Sequence, residues 1–247
     1  MEAGVYARPF IVQPDHCGRD AKLSPIAAFI AFQALSAEHS QLLGIGAAAM
    51  MQKQRFWVTV HNRIDFTGQA RLLDELTAST WAEPCDADSL RVFRGYSLKK
   101  GEKQIAIART QWAIIDAAGQ AIPFGESGFP EDYKYTPLPG IADEPAWLED
   151  DFTEEDVCGE FTVRSTDIDF GNHMNNIAYI RKFLDQFPSE QITGSAVRSI
   201  EIHYGHPCRE GKTLKIYRKA DGEGIYRMCI RNSKGQTAAL LLLTLAK

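Results

Sequence analysis

Apolar positions along the chain follow two periods, and together they predict one set of elements that occurs twice. Over residues 24–43 the apolar positions cover most of the circumference of a helix, which predicts a buried helix. Ser24 in the N-cap position and Pro25 at the first helical position mark its start. Runs rich in Val, Ile, Phe, Tyr and Trp follow and predict strands over 55–66, 74–83, 89–98 and 104–116.

The second set follows a stretch rich in Gly, Pro and acidic residues. Residues 124–156 show no sustained period of 2 or 3.6, so we expect a linker laid over a surface. Beyond it we expect a strand over 159–165 and a helix over 176–187. Further strands are expected over 196–205, 213–220, 225–232 and 237–246. The predicted organisation is an N-terminal repeat (1–123), a linker (124–156) and a C-terminal repeat (157–247).

The two sets align without gaps over short windows, which favours a duplication. At an offset of 138, Ile64, Phe66 and Leu76 fall on Ile202, Tyr204 and Leu214. At an offset of 150, residues 28–30 of the first helix fall on residues 178–180 of the second. One helix wrapped by an antiparallel sheet of about five strands, present twice, is an α+β architecture. The two copies can share one sheet and avoid an exposed edge, so we expect a double hotdog fold.

Composition excludes several classes of protein. The 247 residues are 45% hydrophobic and 24% charged, as in an ordinary globular protein. A net charge of −5 argues against a role that needs a strong basic field, so we expect no nucleic-acid partner. The longest apolar runs, such as 238–243, are too short for a membrane span. The first twenty residues lack the apolar core of a secretory signal, and five scattered cysteines form no CxxC pair. We therefore expect a reduced, cytoplasmic protein.

Polar side chains are densest over residues 165–179, STDIDFGNHMNNIAY. Two carboxylates, three Asn and one His lie within ten residues, where a strand is predicted to lead into a helix. Unpaired backbone N–H groups at a helix start attract polar and acidic groups. We expect Asp167, Asn175 and Asn176 to cap the helix. Asp169 and His173 are the candidates for chemistry, because a His beside a carboxylate can be tuned near neutral pH.

The segment DIDFGNHMNN followed by IAYI resembles the signature of the acyl–acyl-carrier-protein (acyl-ACP) thioesterases, which are hotdog proteins. In the first half, Trp57, residues 80–81, 93–94 and 111–112, and Asp116 also lie where that family has similar residues. The resemblance covers nearly the whole chain.

Carried over position by position, the resemblance implies Asp169 as the catalytic Asp and His173 as the catalytic His. The family often has Asn two positions after the Asp; here Gly171 takes that place and Asn172 follows. Plant members have a Glu-Cys pair after the next long strand, which corresponds here to Pro207 and Cys208. The candidate catalytic set is therefore Asp169, Asn172, His173 and Cys208.

The resemblance implies an enzyme that hydrolyses the thioester of an acyl-phosphopantetheine on acyl carrier protein and releases a free fatty acid. Asp169 either activates water or attacks the carbonyl, while His173 and helix-start amides hold the oxyanion. No cofactor and no metal are expected. The sequence leaves open a homodimer and three alternatives: an acyl-CoA thioesterase, a hotdog hydro-lyase and a non-catalytic acyl-binding module.

Other candidate groups are weaker. Cys208 is either a nucleophile or a small buried side chain, since free Cys is often only that. The remaining histidines lack ligand spacing, and His203 with His206 is too slight a pair to predict a metal site. Residues 125–128 do not form the G-x-S-x-G motif of a serine hydrolase.

The first copy lacks the candidate chemistry. At the offset of 150, Arg19 falls opposite Asp169 and Leu23 opposite His173. We therefore expect the second copy to carry the reaction and the first to supply the walls of an acyl pocket. The candidates for those walls are Phe29, Phe32, Trp57 and Trp112.

Charge is unevenly distributed along the chain. Residues 186–247 carry 10 basic and 5 acidic side chains. This excess predicts a docking face for an acidic carrier protein. Its candidate residues are Arg198, Arg209, Lys212, Lys215, Arg218, Lys219, Arg227 and Arg231.

Overall fold

A computed structural model describes residues 4–246. The strands are β1 (Val5–Ile11), β2 (Arg55–Phe66), β3 (Glu75–Ala82), β4 (Val92–Lys100), β5 (Lys103–Asp116), β6 (Ala121–Ile122), β7 (Val157–Thr162), β8 (Val197–Tyr204), β9 (Thr213–Gly222), β10 (Ile225–Asn232) and β11 (Thr237–Leu245). The α-helices are α1 (Pro25–Leu42), α2 (Ala47–Gln52) and α3 (Asn176–Leu184). All the strand pairs are antiparallel, and they form one sheet of 11 strands.

The order of the strands shows two matching halves. The first half runs β1-β3-β4-β5-β2, and the second continues from it as β8-β11-β10-β9-β7, the same order in reverse. The halves meet where β2 pairs with β8, and there Arg63 lies opposite Glu201. These two residues are 138 positions apart, which is the offset at which the strands of the two copies align. At this seam Arg63 therefore pairs with its own counterpart in the second copy. The α+β double hotdog prediction is confirmed. We keep the repeat boundaries at residues 123 and 157 as a proposal.

The two long helices pack on one face of the sheet. Ser24 caps α1, because its side chain accepts a hydrogen bond from the Ala27 N–H at 3.2 Å. The helix buries Phe29, Phe32 and Leu35. Helix α3 ends three residues before the predicted boundary, since Pro188 disfavours helical backbone at the residue that precedes it. Within residues 4–246, no helix combines the length and apolar character that a membrane span requires.

Two elements have no clear pattern in the sequence. Strand β1 contains Pro9 and pairs only with β3 at the edge of the sheet, a place where proline is tolerated. Helix α2 has only six residues, too few to establish a helical period.

Residues 127–153 contain no helix or strand. The first part packs on the helix side, where the centroid of the Tyr133 ring lies 6.1 Å from that of His39 in α1. From about residue 140 the segment runs along the face of the sheet that points away from α1 and α3, here called the outer face. There, in the first half, Arg109 Nη1 donates to the Asp143 carbonyl at 3.2 Å. At the seam, the Ala146 N–H donates to Glu201 Oε1 at 2.6 Å. The segment thus ties the two halves together on the side opposite the helices.

Acidic residues at the end of this segment neutralise much of the predicted basic face. Arg227 Nη1 lies 2.7 Å from an Asp151 carboxylate oxygen, and Lys215 Nζ lies 2.6 Å from one of Glu154. Lys219 and Arg231 also form ion pairs with residues 150–156. Chain folding therefore pairs four of the eight cations of the expected docking face over residues 186–247 with linker acids, and the rest of that face stays a prediction.

Candidate active site

The polar segment forms a tight loop that leads into α3. A 3-10 turn spans Ser165–Asp167, and an isolated bridge joins Ile168 to Met174. Between these two residues, the Asp169 N–H donates to the His173 carbonyl at 3.1 Å. Asn172 closes the loop with φ 59°, a left-handed conformation that Asn tolerates better than most residues. The loop therefore brings Asp169, Asn172 and His173 together.

The Asp169 carboxylate is half-buried and held from two sides. Its Oδ1 accepts from the Gly171 N–H at 2.8 Å, and its Oδ2 accepts from the Asn175 side-chain amide at 3.4 Å. Asn175 is also the N-cap of α3, since its Oδ1 accepts from the Ile177 N–H at 2.8 Å. One side chain thus connects the candidate carboxylate to the positive end of the helix.

The other two polar residues predicted as caps have different surroundings. The Asp167 carboxylate accepts from the Arg164 N–H at 2.9 Å and lies 3.7 Å from Lys182 Nζ. Asp167 therefore stabilises the 3-10 turn. Asn176 is the first residue of α3, and its carbonyl accepts from the Tyr204 hydroxyl at 3.3 Å.

Cys208 lies next to the loop but buries its thiol. The Met174 N–H donates to the Cys208 carbonyl at 2.7 Å, which fixes the segment beside the loop. The residue is 3% exposed. Burial raises the pKa of the Cys208 thiol, and contact with the Tyr179 side chain lowers it by a smaller amount. A raised pKa disfavours the thiolate that a nucleophile needs, so these surroundings suit a packing residue.

A narrow cleft lies between α1 and the first half of the sheet. Phe29 and Phe32 of α1 line it, as does Trp112 of β5, while Asn176 and Ile177 contribute the first turn of α3. The cleft therefore meets the candidate loop at the start of α3. Trp57 does not line the cleft but adjoins it: its ring packs edge-on against that of Trp112, with centroids 6.4 Å apart. Its Nε1 donates to the Ile45 carbonyl at 2.9 Å, and the ring also packs in a second core with Phe124.

Asn62 and Thr110 add polar groups to the cleft, and sequence reasoning singled out neither of them. Thr110 Oγ1 donates to Asn62 Oδ1 at 2.6 Å, and Asn62 Nδ2 donates to the Tyr204 hydroxyl at 3.4 Å. Trp112 Nε1 is buried and has no hydrogen-bond partner among residues 4–246. In the sequence, Asn62 and Thr110 are visible only as polar residues at strand positions that face inward.

A buried arginine lies on the helix side of the sheet in the first half. Arg94 of β4 is 6% exposed, and its Nη1 lies 2.8 Å from His39 Nδ1 of α1. Burial, followed by the charge of Arg94, lowers the pKa of His39 to about 4. His39 is therefore neutral at pH 7 and can accept a hydrogen bond from the guanidinium.

The structure also corrects the alignment of the two loops. The isolated bridge Cys17–Leu23 in the first half corresponds to Ile168–Met174 in the second, and Ser24 corresponds to Asn175 as the N-cap. These pairs are 151 positions apart, whereas the sequence alignment used 150. The counterpart of Asp169 is therefore Gly18 rather than Arg19, and the counterpart of His173 is Lys22 rather than Leu23.

The strand order and the paired loops define a double hotdog protein, and comparison with known proteins identifies its relatives. Residues 151–244 match the family model of the acyl-ACP thioesterase C-terminal domain. An acyl-[acyl-carrier-protein] hydrolase of Cuphea viscosissima is 21% identical over 95% of this chain and 61% of its own length. A palmitoyl-acyl carrier protein thioesterase of Gossypium hirsutum is 22% identical over 85% of this chain and 54% of its own. The chain thus spans somewhat more than half the length of these relatives.

Solved structures share the whole fold. An acyl-ACP thioesterase from Bacteroides thetaiotaomicron superimposes with a TM-score of 0.88 at 21% identity, and the match covers 98% of each chain. A 12:0-ACP thioesterase from Umbellularia californica gives a TM-score of 0.83 at 15% identity, over 100% of this chain and 98% of its own. These comparisons confirm the resemblance to the acyl-ACP thioesterase family.

Proposed function

We propose that this protein is a thioesterase that releases free fatty acid from acyl-acyl carrier protein. The observation that carries the proposal is the position of Asp169. Its carboxylate lies at the start of α3, in the segment that matches the thioesterase family, where that helix meets the apolar cleft. The names of the relatives point to the same substrate.

In the reaction that we propose, the acyl chain occupies the cleft and the thioester carbonyl lies near the start of α3. A thioester needs only an aimed nucleophile and stabilisation of the oxyanion. Asp169 either takes a proton from a water that attacks the carbonyl, or attacks it to form an acyl–aspartyl anhydride that water then cleaves. In the first route the carbonyl–sulfur bond breaks as Asp169 passes that proton to the sulfur. In the second the sulfur leaves as a thiolate and takes a proton from solvent, and the water that cleaves the anhydride restores the Asp169 carboxylate. His173 and the amides at the start of α3 stabilise the oxyanion, and Asn172 shapes the loop.

Asn175 has a positioning role in this proposal. Its amide donates to Asp169 Oδ2, and it still caps α3. The N-cap geometry therefore fixes the direction of the carboxylate, and the carboxylate stays close to the helix dipole. Cys208 remains in the candidate set, with its buried thiol favouring a supporting role.

We also propose a smaller docking surface for the acidic carrier. Arg164, Arg209 and Lys212 are exposed, and none forms an ion pair within residues 4–246. The Val163 N–H donates to the Lys212 carbonyl at 2.9 Å, so the segment with Lys212 borders the strand that leads into the candidate loop. Phe170 beside them is 83% exposed. Three free cations and one apolar side chain at the loop suit an acidic partner that presents a thioester there.

The docking surface is tested by salt and by charge reversal. We expect kcat/KM on acyl-ACP to fall as salt rises, because exposed charges are screened beyond about 10 Å at 0.1 M. Reversing Arg164, Arg209 and Lys212 to Glu should flatten that slope, while the matched control Lys234→Glu, in the β10–β11 turn, should not. Hydrolysis of a short uncharged thioester should respond to neither change. Carrier turnover that ignores both salt and the triple reversal would exclude this surface.

One assay tests the function itself. Release of free acid is measured from matched acyl-ACP and acyl-CoA thioesters, together with hydration of the corresponding enoyl thioesters. We expect hydrolysis of acyl-ACP at a higher kcat/KM than acyl-CoA. A preference for acyl-CoA, hydration without hydrolysis, or acyl binding without turnover would support the three alternatives in turn. A cytoplasmic location and a homodimer stay predictions.

A further inference from the structure

Three potential metal ligands meet on the outer face of the sheet at the seam between the halves. His61 of β2 lies directly opposite His203 of β8, and their ring centroids are 4.4 Å apart. Glu201 lies two residues before His203 on the same face, with its Oε1 2.8 Å from His61 Nε2. One ligand atom from each residue lies within 4.8 Å of the others.

This cluster is separate from the candidate active site. Ile200 and Ile202 alternate with Glu201 along β8 and point into the core, so the cluster lies across the sheet from the cleft. His61 is 4% exposed and Glu201 is 3% exposed, although both are polar. The segment that crosses the outer face helps to cover them, since Ala146 donates its N–H to Glu201 Oε1.

His203 provides an independent sign of a missing partner. Its Nε2 is buried and has no hydrogen-bond partner among residues 4–246. Burial, followed by the neighbouring His61, lowers the pKa of His203 to about 4, so the ring is neutral at pH 7. The ring also forms a hydrogen bond to the Ala146 backbone. In the tautomer that carries the ring proton on Nδ1, the buried Nε2 is a lone pair with no donor facing it, and leaving such a group unpaired inside a protein is costly.

We propose that His61, Glu201 and His203 bind one divalent transition-metal ion, preferentially Zn²⁺, at the seam between the two halves. Two imidazoles and one carboxylate are a ligand set that Zn²⁺ accepts, with a water in the fourth position. One ligand comes from β2 and two come from β8, so the ion links the two repeats directly. The ion stabilises the fold, and this role does not depend on the proposed enzymatic function.

The local charges are compatible with a bound dication. Arg63 is the nearest cation, but it already pairs with Asp65 at 3.0 Å and Asp143 at 3.3 Å. Together with Glu201, these residues place three carboxylates and one guanidinium around the site. Both hydrogen bonds to Glu201 use Oε1, which leaves Oε2 available as a ligand.

Metal binding would change the tautomer of His61. In the hydrogen bond between His61 Nε2 and Glu201 Oε1, neutral His61 carries its proton on Nε2 and donates it to the carboxylate. To bind Zn²⁺ through Nε2, the ring would carry that proton on Nδ1 instead, so the N–H···O bond would be lost with no net release of a proton. With metal–ligand distances of about 2.0–2.2 Å, the ligand atoms must come to roughly 3.3 Å from one another. This is a side-chain adjustment from the present spacing.

The test uses the full chain, purified without metal-affinity resin, stripped with a chelator and then titrated with Zn²⁺. We expect one equivalent bound per chain by elemental analysis after gel filtration. At a free Zn²⁺ concentration about 100 times Kd, Tm should rise by roughly 5–10 °C. His203→Gln should lose both effects. The matched control His206→Gln, an exposed histidine three positions away, should keep both.

A second readout covers the case in which His203→Gln fails to fold. Co²⁺ in a site with two imidazoles and a carboxylate gives visible absorption bands, which the stripped wild-type protein should develop at one equivalent and lose when Zn²⁺ is added. Wild-type protein that binds no Co²⁺ or Zn²⁺ at micromolar concentration would overturn the proposal, and the cluster would then be a metal-free His–Glu hydrogen bond. Binding that persists unchanged in a folded His203→Gln or Glu201→Gln variant would overturn it as well.

Discussion

The loops that precede α1 and α3 have the same backbone and different side chains. In the first, the Gly18 N–H donates to the Lys22 carbonyl at 2.9 Å; in the second, the Asp169 N–H donates to the His173 carbonyl at 3.1 Å. Ala21 and Asn172 occupy the same position in the two turns, with φ 55° and 59°. A double hotdog chain can therefore keep one loop conformation in both copies and carry the candidate chemistry in only one.

The two loops also differ in what lies around them. The first is anchored to the segment after α3, where Arg19 pairs with Glu190 at 2.7 Å and Ser195 donates to Asp20 at 3.0 Å. The second exposes Phe170 and Asn172, as the first exposes their counterparts Arg19 and Ala21. The side chains Asp169 and His173, and not the exposure of the loop, thus separate the second loop from the first.

The largest expected effect comes from the polar side chains of the second loop. Asp169→Asn and His173→Ala should each lower kcat about 100-fold or more, because one removes the base or nucleophile and the other an oxyanion donor. Lys22→Ala, at the counterpart of His173, and Asp20→Asn should leave kcat within about twofold. The measurement is steady-state hydrolysis of acyl-ACP, with circular dichroism to verify folding. Near wild-type turnover in either folded second-loop variant would remove that residue from the site.

The two N-caps give the next comparison. Ser24→Ala and Asn175→Ala should each lower the free energy of unfolding by about 1 kcal/mol, since both lose a cap. Only Asn175→Ala should also lower kcat, by roughly tenfold, because Asp169 loses its side-chain donor. Asn175→Asp should restore the cap and not the activity, since a carboxylate cannot donate to Asp169. Equal kcat values for the three variants would show that Asn175 acts only as a cap.

The role of the Cys208 thiol can be tested by substitution, and Ala70 is the equivalent position in the first half. Both positions accept a hydrogen bond from the residue before an N-cap: Leu23 donates to the Ala70 carbonyl at 2.9 Å and Met174 to that of Cys208 at 2.7 Å. Because burial raises the pKa of the Cys208 thiol, Cys208→Ser and Cys208→Ala should lower kcat by less than about tenfold. Complete loss of activity with a native circular dichroism spectrum would instead identify a thiol nucleophile.

The smallest effect concerns backbone strain at the turn. Ala21 has a positive φ that costs a residue with a Cβ about 1 kcal/mol, whereas Asn tolerates it. Ala21→Gly should therefore raise the free energy of unfolding in urea by up to about 1 kcal/mol, and Asn172→Gly should change it by less than about 0.5 kcal/mol. A larger gain at Asn172 than at Ala21 would contradict the match between the two turns.

The elements with a regular period could be predicted from the sequence alone. The bounds of β2 and β10 match the predicted ranges, and Ser24 caps α1 as expected. Helical and strand periods depend on residues a few positions apart, so they are visible without the fold. The polar loop was also visible, because Asp169, Asn172 and His173 are close in sequence and need no long-range contact to come together.

Contacts between distant segments were decided only by the tertiary structure. The offset of 151 between the loops depends on hydrogen bonds across each helix start, which an ungapped alignment does not contain. His61 meets Glu201 and His203 only because β2 pairs with β8 across the seam. The linker acids pair with cations of the predicted basic face for the same reason, since chain folding decides which charges meet when the segments are far apart in sequence. The local pattern of apolar and polar residues does not specify which strand or linker will lie next to a given segment.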